Sequence, residues 1–140
     1  MKETICAAAG IAGAAIASLF GGWTASLTTL VIFMAIDYAT GLICAGVFHK
    51  SRKSETGALE SRTCLKGLVR KCMVLLLVLV AHQLDVIIGT TYVKDAVCIA
   101  FISSEAISIT ENAGLMGVPM PSAIAKALDI LQKGKDTKEE

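Results

Sequence analysis

Hydrophobic positions along the chain fall into four runs, separated by short polar or glycine-containing breaks. The first, Ile5 to Phe20, reads ICAAAGIAGAAIASLF and is dominated by small residues. The second extends from Thr24 to Phe48, the third from Cys72 to Thr91, and the fourth from Ala96 to Gly114. About twenty apolar residues in a helix are needed to cross a hydrocarbon core about 30 Å thick. The second and third runs reach that length. The first is short for it, and so crosses thinly, tilts into a partner or lies at the interface. Gly21 and Gly22 break the helix after the first run, and Trp23 suits a membrane–water boundary, where its ring is apolar and its N–H stays wet. After the fourth run, Val118-Pro119-Met120-Pro121 stops the helix. Ser122 can then cap a short amphipathic helix carrying Ile124, Leu128 and Leu131. The charged tail, Lys133 to Glu140, is predicted to be disordered.

This pattern predicts an all-α integral membrane protein, a single membrane domain over 1–140. It has three to four transmembrane helices, a basic cytoplasmic loop over 49–71, and a cytoplasmic tail over 115–140 with its amphipathic helix. Lys2 and the apolar stretch behind it resemble a leader peptide. Glu3 offsets Lys2, and the rest of the chain would still be a membrane protein.

Polar residues inside the runs are the next signal. Residues advance 100° around a helix per position. By that advance Ser26, Thr29, Asp37, Thr40, Gly41 and Cys44 share about a third of the second helix's circumference. Ser104, Glu105, Ser108, Glu111 and Asn112 share a similar sector of the fourth. Counted from the outer ends at 1.5 Å per residue, Asp37 lies about 20 Å deep and Glu105 about 17 Å deep. A charge at mid-membrane costs roughly 2.5 to 3.5 kcal/mol on insertion scales, so it faces protein or water rather than lipid. Two carboxylates at one level in low dielectric cannot both ionise cheaply, which predicts that one is protonated. His82 and Asp85, near the outer end of the third run, add a further polar group, with His82 a possible carboxylate partner. Hydrogen-bonded packing between helices accounts for the Ser and Thr residues. A water-lined surface or pore accounts better for the carboxylates, and an ion relay is the third alternative. On the first run, Ala9, Gly13 and Ala17 repeat every four residues, and so do Gly10, Ala14 and Ser18. Such spacing lets helix backbones approach closely in lipid.

Charge orients the chain. Lys50, Arg52, Lys53, Arg62, Lys66, Arg70 and Lys71 cluster between the second and third runs, opposed only by Glu55 and Glu60. Short loops rich in Lys and Arg stay cytoplasmic, which also places the C-terminus there. No aromatic residue interleaves these cations, which argues against nucleic acid, whereas attraction to anionic headgroups is a secondary effect. Composition agrees with a membrane setting. The 140 residues are 54% hydrophobic, 18% charged and 5% aromatic, with mean hydropathy +0.67. That is too apolar to cover the surface of a small soluble domain. The net charge of +1 says little about partners. Five cysteines are scattered without CxxC spacing, and four lie in or beside apolar runs, where a reduced thiol acts as a small hydrophobe. No nucleophile, metal-ligand or phosphate-loop motif is present, so no catalytic residue, metal or cofactor is assigned.

The segments GGW, IDYATGL, CLKGLVRKCMVLLLV, HQLD and ISSEAISITENAGLMGVPMP, spread from about Gly21 to about Leu131, are similar to the phage holins grouped with clostridial toxin-secretion proteins. Asp37-Tyr38-x-Thr40-Gly41 and the run from Glu105 through Glu111-Asn112 to Pro119 carry the resemblance most specifically. The very Ala-rich first run departs from it. The resemblance implies a small phage protein that accumulates in the host cytoplasmic membrane and assembles into homo-oligomeric lesions. It implies release of an endolysin to the wall, or export of a toxin in some relatives, with no catalytic residues. Partners expected on this basis are further copies of the chain, membrane lipids, an endolysin without necessary contact, and an antiholin. The rival class is a non-pore membrane protein, such as an antiholin itself or a small transporter or assembly subunit. No inverted repeat is visible to supply a transporter pocket.

Overall fold

The structure, a computed structural model, describes residues 1–136. It is all-helical over those residues: α1 (Lys2–Leu19), α2 (Ala25–Gly46), α3 (Ser61–Ile88), α4 (Val93–Leu115) and α5 (Ser122–Asp136). Helices α1, α2 and α3 are long and apolar enough to cross a membrane. Helix α4 does not meet that measure alone, because Lys94, Asp95, Glu105, Glu111 and Asn112 interrupt it. It instead runs beside α2 in the same direction. Ser26 Oγ donates to Asp95 Oδ1 at 2.7 Å near the start of both, and Asn112 Nδ2 donates to Thr40 Oγ1 at 3.0 Å near their ends. Protein therefore covers much of its polar face.

Local chemistry sets the boundaries. Gly21 and Gly22 both adopt positive φ (76° and 93°), turning the chain between α1 and α2. Thr24 then caps α2, its hydroxyl accepting from Leu27 N. Gly89 ends α3 in the left-handed conformation, its N–H donating to Asp85 O. Helix α5 starts at Ser122 itself, and the Pro121 carbonyl accepts its first amides. So Ser122 is not the cap. Helix α5 also continues through Asp136, so the disorder expected from Lys133 does not begin there. The rest of that expectation, 137–140, lies outside the described residues.

Packing follows alternating three- and four-residue steps. Leu27, Leu30, Met34, Asp37, Gly41 and Cys44 line one seam of α2, and Cys98, Ile102, Glu105 and Asn112 line one of α4. On α3 the series is Lys71, Val74, Val78, Ala81 and Asp85. This is the spacing that keeps one helix face against a neighbour. Leu27, Leu30, Met34, Val78, Cys98 and Ile102 form the buried core, flanked by Phe20, Phe33, Val74 and Phe101. Outward-facing Ile32, Ile36, Leu76, Val80 and Ile87 stay exposed, as expected where the solvent is lipid. Helix α1 stands apart: Ala9, Gly10, Gly13 and Ala14 meet no close neighbour in the bundle, and only Ala17 is buried.

The basic loop expected over 49–71 is shorter than that. Irregular chain covers 47–60, and 61–71 is already helix. Helix propensity and the continuing seam extend α3 through the basic residues, because cations at a helix end reach water while the backbone stays hydrogen-bonded.

Candidate functional site

The polar stripes of α2 and α4 face each other, and the third partner comes from α3. Lys71 Nζ donates to Asp37 Oδ2 at 2.8 Å and to Glu105 Oε2 at 2.6 Å. All three side chains are largely enclosed, Asp37 at 4% exposure, Glu105 at 12% and Lys71 at 14%. The carboxylates thus share a cation, which makes the pair tolerable within the bundle. Lys53, from the loop, approaches Asp37 Oδ2 at 3.7 Å. Two cations therefore meet two carboxylates. Such neutrality matters, because a buried charge without a partner costs several kcal/mol.

Asn112 ties the lower part of the seam. Its Nδ2 donates to Thr40 Oγ1 and lies 3.3 Å from Asp37 Oδ1, while Thr40 Oγ1 donates to Asp37 O at 3.1 Å. Glu111 accepts from Arg52 at the exposed edge. Gly41 lies beside the Asn112 amide, and a Cβ there would make only an ordinary contact with Nδ2, at 3.8 Å. Beside the triad opens a cavity of about 220 Å³, lined by Asp37, Lys71, Glu105 and Ser108 at its polar wall and by Tyr38, Leu42 and Val74 at its apolar one. Ser104 borders it, and Lys53 and Ser54 close it from the loop. Tyr38 OH donates to Cys64 O at 3.2 Å, joining α2 to α3 across it. The arrangement can hold water and balanced charge within an apolar bundle. Among the described residues no cluster suited to a metal occurs.

Of the residues singled out from sequence, Asp37, Thr40, Gly41, Ser104, Glu105, Ser108, Glu111 and Asn112 come together here. His82 and Asp85 do not. His82 lies against Gly21 at the other end of the bundle, with no hydrogen bond to a carboxylate among the described residues. Asp85 closes the α3–α4 turn, accepting from Thr90 Oγ1 at 2.6 Å, Val93 N at 3.0 Å and Lys94 N at 2.8 Å. Lys94 Nζ in turn donates to Phe20 O, binding the α1–α2 turn to α4. Sequence reasoning assigned Lys71 to a topogenic loop and missed its place in the seam. The signal was the step series from Val78 back through Val74 to Lys71, which continues the buried face of α3 into the basic segment.

Three helices long and apolar enough to cross a membrane, packed around a polar seam, point to a small membrane protein. Comparison with known proteins then specifies the class. The bacteriophage holin family matches residues 14–133, and the chain belongs to that family. It is 34% identical to a probable holin of Bacillus phage phi105, over 81% of this chain and 79% of that one. An uncharacterized protein of Halalkalibacterium halodurans is 36% identical over 99% of this chain and 100% of its own. An uncharacterized 14.9 kDa protein of Clostridium perfringens is 36% identical over 84% of both. No solved structure matches. The family and the phage relative support a phage holin role and a membrane location; holins oligomerise in the membrane and are not an enzyme family.

Proposed function

We propose that this chain is a holin that accumulates in the bacterial cytoplasmic membrane and assembles with its own copies into lesions, releasing an endolysin at a timed point of host lysis. The observation that carries the reading is the intramembrane triad Asp37–Lys71–Glu105 beside a polar cavity, within a bundle that otherwise faces lipid. In a monomer these charges satisfy one another. In an assembly the same seam can line water, which solvates charge far better than a single lysine does. Helix α1 supports self-association, since its Ala9, Gly10, Gly13 and Ala14 face is uncovered within one chain. Mass action then makes assembly more favourable as the protein accumulates. The basic end faces the cytoplasm by the positive-inside rule, with the C-terminus on that side.

Expression of the chain alone in a bacterial host tests this. A sudden collapse of membrane potential, followed by lysis when an endolysin is supplied, is the expected outcome, and Asp37→Leu shifts its timing. Intact potential and viability at high expression refute the lesion reading. Protection of cells that co-express a lethal holin would assign the chain to the antiholins.

A further inference from the structure

Six of the seven clustered cations divide into two groups that sequence alone does not separate; the seventh, Lys50, is exposed in the loop after α2. Arg52, Lys53 and Lys71 are paired with carboxylates: Arg52 with Glu111 at the exposed edge, Lys53 with Asp37, and Lys71 with Asp37 and Glu105. Arg62, Lys66 and Arg70 are exposed, and among the described residues none has a carboxylate within ion-pair distance. They stand at i, i+4 and i+8 on α3, within about 80° of one another. Exposed Val69 and Met73 lie on the same side of the helix. The row is thus basic and flanked by apolar surface. Arg70 and Lys71 are adjacent in sequence, yet Lys71 pairs within the seam whereas Arg70 stays exposed at the rim of the cavity.

Length gives this row its depth. Helix α3, with 28 residues, is about 42 Å long at 1.5 Å per residue, against a hydrocarbon core of about 30 Å. Its apolar part, from Cys72 to Ile88, is about 26 Å long at that rise and fills most of such a core, which brings Arg70 to the membrane boundary, with Lys66 about 6 Å and Arg62 about 12 Å further out. Cations held there on a rigid helix meet phosphodiester groups at their own level.

We infer that Arg62, Lys66 and Arg70 form a docking row for anionic phospholipid headgroups at the basic end of the bundle. The row selects phosphatidylglycerol-type lipids over zwitterionic ones by charge, and none of its members takes part in the ion pairs of the seam, although Arg70 stands at the rim of the cavity. The assignment depends on neither lesion formation nor the sidedness of the membrane.

The test uses the full-length protein in neutral detergent, with bound phosphatidylglycerol and phosphatidylcholine counted by native mass spectrometry over a lipid titration. Each cation near such a surface contributes about fivefold in affinity, so the row gives a preference of up to about a hundredfold. That preference falls as salt is added, a readout needing no variant. Arg62→Gln/Lys66→Gln/Arg70→Gln abolishes it, Arg62→Lys/Arg70→Lys keeps it, and Arg52→Gln, which removes one of the carboxylate-paired cations, leaves it in place. Equal affinity of the parent for the two lipids overturns the inference, as does a preference that survives the triple change or vanishes equally with Arg52→Gln. Salt-sensitive self-association without lipid preference would assign the row to a second copy and also overturn it.

Discussion

Lys71→Met tests the seam directly. The substitution keeps the length and most of the apolar stem of the side chain but removes the ammonium that Asp37 and Glu105 share at 2.8 and 2.6 Å. Both carboxylates are then enclosed with only Lys53 nearby, at 3.7 Å and 44% exposed. Removing one partner of a buried ion pair costs about 3–5 kcal/mol, mostly because a charge is left behind without compensation. Spread over a domain of this size, where 1 kcal/mol corresponds to roughly 3–5 °C, the melting temperature in detergent falls by about 10–20 °C. The compensating variant separates electrostatics from packing. Lys71→Met/Asp37→Asn/Glu105→Gln has no ion left to strand, and replacement of a whole buried ionic group by neutral residues is often neutral or stabilising. It therefore recovers most of the lost stability, by thermal unfolding followed through helical circular dichroism. In cells, the single variant alters lysis timing. A single variant as stable as the parent, or a triple variant no better than the single one, refutes the view that Lys71 neutralises the two carboxylates.

Other outcomes follow from the same geometry. Asp85→Ala removes the acceptor for Thr90, Val93 and Lys94 at the start of α4, so thermal unfolding shows a loss of about 1–2 kcal/mol, the range of a helix cap. Asp85→Asn, which keeps an acceptor oxygen, loses less. Gly21→Ala and Gly22→Ala each place a side chain at positive φ, which costs about 1–2 kcal/mol. Only the first also drives a methyl into His82, so it melts lower than the second, and His82→Ala narrows the difference. Arg52→Ala changes stability by at most about 1 kcal/mol, because its bridge to Glu111 is half exposed and screened by salt.

Much of this fold was legible in the order of apolar and polar residues. The glycine and proline breaks marked the helix ends to within a few residues, because a positive φ or a missing N–H acts locally. The stripes on the second and fourth runs were equally readable, since helical periodicity alone brings Asp37 and Thr40, or Glu105 and Asn112, to one face. Lys71 was not. A cluster of cations looks the same whether its members point to water or to a carboxylate. Nor were the partners of Asp85: its place near the outer end of the third run was readable, but its three donors come from the turn and helix that follow.

By itself, then, the sequence determined the helices, their membrane setting and which face of each is polar, all properties of neighbours within a few turns. Tertiary structure alone decided how those faces meet. Asp37, Lys71 and Glu105 belong to three helices, and only the packing of α3 against a parallel α2–α4 pair brings one ammonium within hydrogen-bond distance of both acids. The same packing leaves Arg70 exposed at the rim of the cavity beside Lys71. The physical reason is that a charge in an apolar bundle takes its meaning from its partner, and the partner is chosen by packing rather than by position in the chain.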